Sequence, residues 1–186
     1  MGLTTADSYY LKAKAACGGF ASDWGEVSEA LNYALSYDEN HEASLCLLGE
    51  IYAKNLVLYD QAFECFDKLI AANMNYVAVY PKYVLYLIWA HEYERAKQLI
   101  EFAMTVEGVD TSQLLWMSSI IEETQGNYKQ SLKFLKDAKK KIYNDYYFGF
   151  MDDEADRIKK KIKLDKPKKK KSKKKKSKKK NKKKKK

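Results

Sequence analysis

Apolar residues recur along this chain at intervals of three and four, the signature of one buried helix face, and the intervals themselves repeat. Trp24, Tyr59, Tyr93 and Tyr128 stand 35, 34 and 35 residues apart. Three residues beyond each comes a small or slim side chain: Val27, Ala62, Ala96 or Ser131. Four further on is a large apolar one, Leu31, Phe66, Ile100 or Leu135, and three beyond that Ala34, Leu69, Ala103 or Ala138. Four columns in one register predict four copies of an amphipathic helix. The second column is a packing requirement, because two helices approach closely only where the side chain between them is small. Bulk there overpacks the junction.

A second periodic segment precedes each of these helices. The clearest is EASLCLLGEIYAKN (42–55), in which Leu45, Leu48, Gly49 and Tyr52 follow helical spacing. Gly126–Asn127 marks the turn between the two helices of the last unit, as a helix stop. Pro81 falls early in the first helix of the third unit, where its missing N–H has no partner to lose. After the fourth unit, Phe148, Met151, Ala155, Ile158 and Ile162 form one apolar stripe with polar residues opposite. Asn144 or Asp145 caps its start, and lysines crowd its end in agreement with the helix dipole. This segment, about 144–165, is expected to cover the last apolar face of the stack and turn a polar one outward.

The pattern resembles the tetratricopeptide repeat family over roughly residues 8 to 143. Leu48, Gly49 and Tyr52 are similar to that family's Leu-Gly-x-x-Tyr core, and Tyr59, Ala62, Phe66 and Leu69 to its second-helix signature, after one extra residue in the turn. The third unit keeps Tyr80, Tyr93, Ala96 and Ala103 but has Tyr83–Val84 in place of Leu-Gly. The fourth keeps Gly126, Tyr128 and Ala138 but has Ser118–Ser119 there. The resemblance implies an all-α, right-handed superhelical solenoid of four helix-turn-helix units plus a C-terminal capping helix. It also implies a non-catalytic scaffold or adaptor that binds a peptide or partner protein.

In that family the first helix of each unit lines a concave groove. Projected onto this sequence, the groove residues are Lys12 and Ala16, then Cys46, Glu50 and Ala53, then Leu85, Ile88 and Trp89, then Trp116, Ile120 and Glu123. Trp89 and Trp116 are the expected anchors, since aromatic residues dominate interface energetics. Some members clamp a chaperone's C-terminal carboxylate with Lys and Asn. Ala16, Cys46 and Glu50 occupy the equivalent positions here, so that role is not expected.

Charge divides the chain in two. Residues 166–186 hold 17 lysines and no acid, which leaves 18 basic and 25 acidic residues in 1–165, a net of −7. An overall charge of +10 therefore conceals an acidic body with a basic tail. The body (1–165) is read as one domain and the tail (166–186) as a disordered poly-lysine segment. Lysines 168–171 and 173–176 (Lys168, Lys169, Lys170, Lys171, Lys173, Lys174, Lys175, Lys176) are the candidate anion-binding residues. With no aromatic or arginine among them, contact with RNA or anionic lipid is expected to be sequence-independent and salt-sensitive. The alternative reading is an RNA- or ribosome-associated protein whose tail supplies electrostatic binding.

Catalytic constellations are missing. His41 and His91 are each followed by glutamate, but Leu45 and Arg95 stand where HExxH needs its second histidine. Cys17, Cys46 and Cys65 form no CxxC pair and are read as small core residues in a reducing compartment. The acids Glu122–Glu123 and Asp152–Asp153–Glu154 diverge by about 100° per residue and are read as solvated faces. No Gly-rich phosphate loop is present, since Gly18–Gly19 fall in a helix-to-helix turn. Position 6 is alanine where a myristoylation signal needs Ser or Thr. No transmembrane segment, cofactor or metal is expected, and the location is expected to be cytoplasmic.

Overall fold

The computed structural model describes residues 2–17 and 23–165. Gly18–Gly19 and the whole lysine tail, including the candidate residues 168–171 and 173–176, lie outside the described residues. Within them the chain forms α1 (Thr5–Ala16), α2 (Trp24–Tyr37), α3 (Glu42–Lys54), α4 (Tyr59–Ala72), α5 (Val79–Trp89), α6 (Tyr93–Ala103), α7 (Thr111–Thr124), α8 (Tyr128–Lys139) and α9 (Asp145–Asp165). Consecutive helices pair as hairpins, α1 with α2 through α7 with α8. Each second helix also packs on the first helix of the next hairpin. The first helices α1, α3, α5 and α7 touch one another in order, which makes them one continuous row along the stack.

The four columns of the sequence mark real positions. Trp24, Tyr59, Tyr93 and Tyr128 are the first residues of α2, α4, α6 and α8. Val27, Ala62, Ala96 and Ser131 are buried, as are Leu31, Phe66, Ile100 and Leu135, and Ala34, Leu69, Ala103 and Ala138. Side-chain oxygens cap several starts. The Thr4 hydroxyl accepts from the Asp7 N–H, and the Asp7 carboxylate answers the Thr4 N–H, giving a capping box. Asp23 and Asp110 accept from the first turns of α2 and α7.

The hairpin turns show why their residues were chosen. Gly126 has φ +79°, and its N–H and that of Asn127 donate to Glu123 O and Glu122 O, a left-handed stop that glycine makes without strain. In the α5–α6 turn His91 takes the same conformation, with φ 62°. The α3–α4 turn carries the extra residue noted in the sequence, and there Val57 has φ 58°. Gly49 answers a different demand. A Cβ built on it would lie 2.7 Å from Phe66 Cε1, so α3 meets α4 only because that position has no side chain. In α7 the corresponding Ser119 faces Ser131 of α8, their hydroxyls 2.8 Å apart, and Ser131 Oγ also donates to Ser119 O.

Three apolar clusters follow one another along the stack. Ala13, Leu31 and Leu48 belong to the first, Phe66, Tyr83 and Leu114 to the central one, and Leu135, Met151 and Ile158 to the last. Asn144 rather than Asp145 caps α9, accepting from the Tyr147 N–H at 3.0 Å. Met151 and Ile158 are fully inserted and Ala155 and Ile162 partly so, whereas Phe148 stays 44% exposed. The polar outer surface expected of this helix holds only over its later turns. Tyr146 and Tyr147 in the first turn are exposed and lie against each other, their ring centres 5.4 Å apart.

Candidate partner-binding groove

Most of the predicted groove residues fall in two places along the row of first helices, one where α3 meets α5 and one where α7 meets α9. On α3, Cys46 and Glu50 lie one turn apart, and Lys82 reaches them from α5. Lys82 Nζ donates to the Glu50 carboxylate and sits 3.6 Å from Cys46 Sγ. Burial pushes the Cys46 thiol up to about 11, and the neighbouring Glu50 acts in the same direction. That thiol is protonated at neutral pH and is no nucleophile. Burial is the largest influence and works against the Lys82 charge, but the bonds and charges of Glu50 and Cys46 together outweigh it and raise the ammonium above its ordinary value.

Lys82, Tyr86 and Trp89 follow each other at helical spacing of four and three along α5. Trp89 is 45% exposed, its ring edge-on to Tyr86 at 5.3 Å between centroids. Of the other predicted α5 residues, Ile88 is buried and Leu85 packs against the central cluster. Lys12 is exposed on α1. The second group lies on α7, where Trp116 meets Phe150 of α9 edge-to-face at 5.4 Å. Ile120 is partly buried one turn on. Trp116 Nε1 is buried without an acceptor.

Glu123 closes that end. Arg157 of α9 donates to both its oxygens, with Nη2 at 2.7 Å, and Lys161 donates at 2.6 Å. Burial alone would raise the Glu123 carboxyl, but these bonds hold it below its ordinary value. The reading of Glu122 and Glu123 as solvated is therefore corrected. Their side chains are 15% and 8% exposed, Glu122 facing Lys97 of α6 and Glu123 facing α9. The divergence of adjacent helical positions is real, but it sends each carboxylate into a different helix junction instead of into water. Asp152 and Glu154 likewise pair with Lys139 and Arg157.

Lys82, Phe150, Arg157 and Lys161 were missed in the sequence. Lys82 carries a legible signal, since it stands seven residues before Trp89 on the same face. The α9 residues carry none, because only the docking angle of α9 brings them to α7.

One trio has the composition of a hydrolytic site. His41 Nδ1 is 2.7 Å from Ser44 Oγ, and His41 Nε2 is 3.2 Å from Asp7 Oδ1. Ser44 is fully buried in the first turn of α3, so no substrate carbonyl reaches it. The trio ties α1 to α3. Cys17 and Cys65 are partly buried rather than core residues, and no metal-binding group of His, Cys, Asp or Glu occurs among the described residues. No helix among them is long and apolar enough to cross a membrane.

No protein-family model and no curated protein sequence matches the chain. Solved structures do. A structure from the functional characterisation of Pseudomonas aeruginosa pilF aligns with a TM-score of 0.69 at 14% identity, over 86% of this chain and 69% of that one. PilW, a widely conserved type IV pilus biogenesis factor, gives 0.64 at 16% identity, over 88% of this chain and 78% of its own. MamA from Desulfovibrio magneticus RS-1, from residue 41 to the end, gives 0.62 at 16%, over 86% and 92%. These are tetratricopeptide-repeat structures, and the chain shares their fold, an all-α right-handed solenoid. At such identities the likeness is one of architecture.

Proposed function

We propose that this chain is a non-catalytic adaptor that holds an extended segment of a partner protein along the row of first helices. The observation that carries this reading is Trp89, a tryptophan 45% exposed on the groove side while its neighbours Tyr86, Leu87 and Ile88 are buried. A large ring left in water at the centre of a helical row is the kind of anchor on which interfaces concentrate their energy. Trp116 and Phe150 extend the apolar strip toward α9, and the Lys82–Glu50 and Arg157–Glu123 pairs flank it.

Charge narrows the partner's chemistry. Residues 1–127 hold 7 basic and 18 acidic residues, a net of −11, so a segment with an aromatic or aliphatic anchor and positive charge is favoured. Three unbridged thiols fit a reducing compartment, and a cytoplasmic location belongs to this reading. The lysine tail adds weak, sequence-independent affinity for anionic surfaces.

The test is affinity capture with the full chain against Trp89→Ala. Trp89 lies outside the buried cluster and meets it through Tyr86, so the variant is expected to fold, and truncating an anchor costs about 2 kcal/mol or more. The partner recovered by the wild type is expected to fall at least tenfold with the variant. Retention of every partner at full yield sinks the groove assignment.

A further inference from the structure

A second surface lies on the opposite side of α9 from the groove. Phe148, Asp152 and Lys159 share one face of that helix, and with Leu132 of α8 they line an open cleft of about 430 Å³. Its floor is apolar. Lys136, Lys139 and Lys140 of α8 and its turn complete the rim. Lys139 Nζ stands 3.9 Å from the centre of the Phe148 ring and 2.5 Å from Asp152, so the carboxylate of the cleft is already engaged. Tyr143 is fully exposed in the turn that joins Lys140 to Phe148.

This cleft sits where the charge of the chain reverses. Against the net of −11 over 1–127, residues 128–165 hold 11 basic and 7 acidic residues, a net of +4, and 17 lysines follow. Lys159 stands six residues, or about 9 Å of helix, before Asp165, the last residue ahead of those lysines. Lysines alone hold phosphates, but they give a strand nothing to stack on. Phe148 supplies that missing surface, a ring 44% exposed among four ammonium groups.

We infer that the α8–α9 cleft binds single-stranded nucleic acid, with a base against Phe148 and the flanking phosphates on Lys136, Lys140 and Lys159. A bilayer takes apolar side chains that project beyond their lysines, whereas Phe148 and Leu132 lie inside the lysine rim of the cleft. An acidic peptide satisfies the lysines but leaves the ring uncovered. The lysines are set on the rim for phosphates and Asp152, the carboxylate of the cleft, is held by Lys139, so ribo- and deoxyribo-strands are expected to bind alike and with little sequence preference.

The experiment uses the full chain and fluorescent oligo(U) and oligo(dT) of roughly a dozen nucleotides, with inorganic polyphosphate and anionic vesicles as further probes. Phe148→Ala is expected to weaken both oligonucleotides about tenfold, the usual loss for one stacked base, and to leave polyphosphate binding unchanged. Phe148→Trp is expected to restore them. Lys136→Gln with Lys140→Gln, both exposed, is expected to lower the slope of log affinity against log salt by about 1.4, some 0.7 for each phosphate contact. Should Phe148→Ala disturb α9, the lysine pair carries the test by itself. Oligonucleotide binding unchanged in both variants assigns the affinity to the tail and overturns the proposal. Vesicle capture lost in Phe148→Ala while oligonucleotide binding stays intact overturns it in favour of a membrane.

Discussion

Gly49→Ala is the sharpest test of how the hairpins are packed, because two known effects oppose each other in sign. Alanine is a better helix former than glycine by about 1 kcal/mol, so on an unencumbered face the change stabilises. Here the new Cβ would stand 2.7, 2.8 and 3.1 Å from three carbons of the Phe66 ring. That ring is fully buried and cannot swing aside. Tyr83 lies 5.0 Å from it on one side and Tyr86 5.9 Å away, nearly parallel. Overpacking a core of this kind costs about 1–3 kcal/mol, so a net loss of about 1 kcal/mol is expected after the propensity gain is offset.

The neighbouring units supply the remedy. Ile100 and Leu135 fill the column that Phe66 occupies, opposite Val84 and Ser119 where α3 has Gly49. Phe66→Leu alone removes buried atoms and costs about 1–2 kcal/mol. Combined with Gly49→Ala it makes room for the methyl, so the double variant is expected to be more stable than the sum of the two losses by about 1 kcal/mol or more. Urea unfolding followed by circular dichroism measures this as midpoint shifts at unchanged slope. A Gly49→Ala protein more stable than wild type by about 1 kcal/mol, the propensity value alone, refutes the close approach of α3 and α4.

Two further outcomes follow from local geometry. Glu123→Gln is expected to cost about 1–2 kcal/mol at neutral pH, below the figure for a fully buried pair because Arg157 and Lys161 are each nearly half exposed. The Glu123 carboxyl is held below its ordinary 4.5, so its contribution is complete above that pH and fades as pH falls through the lower folded value. The stability gap between wild type and variant should close in strong acid, and a gap unchanged down to pH of about 3 rules out the ion pair as its source. Val57→Gly is expected to raise the melting temperature. A β-branched residue at φ 58° carries about 1–2 kcal/mol of strain, more than the entropy glycine adds to the unfolded chain. A lower melting temperature means that Val57 makes a compensating contact.

The repeat was legible because each of its columns answers to a constraint that acts within one unit. Trp24, Tyr59, Tyr93 and Tyr128 start helices, and the small column marks where two helices of a hairpin touch; both are local facts that recur at a fixed interval. Gly126 was readable for the same reason, since one residue type relieves one backbone conformation. The groove was legible only in part. Trp89 follows from helical register, but Trp116 and Glu123 are met by Phe150 and Arg157, and that depends on how α9 docks. The pairing of Ser119 with Ser131 was hidden too. Ser131 fits the small column and Ser119 departs from Leu-Gly, and only the two facing each other explain why neither hydroxyl is unsatisfied.

Apolar contact runs through the whole stack, and polar links are added to it at particular junctions. Within the hairpins the buried columns recur in every unit, with Ser119 and Ser131 as the polar exception. Between first helices the apolar cluster is continuous from α3 through α5 to α7, and the polar links differ from place to place. His41–Asp7 links α1 to α3, Lys82–Glu50 links α3 to α5, and Glu123 links α7 to α9 through Arg157 and Lys161. Apolar contact sets whether the hairpins fold, because it supplies most of the free energy and carries no direction. These links are partly exposed and individually weak, but they are directional. They therefore govern the spacing of the row more than its stability. A change in salt or in one such pair is expected to alter the spacing of the first helices while the apolar repeats beneath stay folded, which near- and far-UV circular dichroism across a salt series would separate.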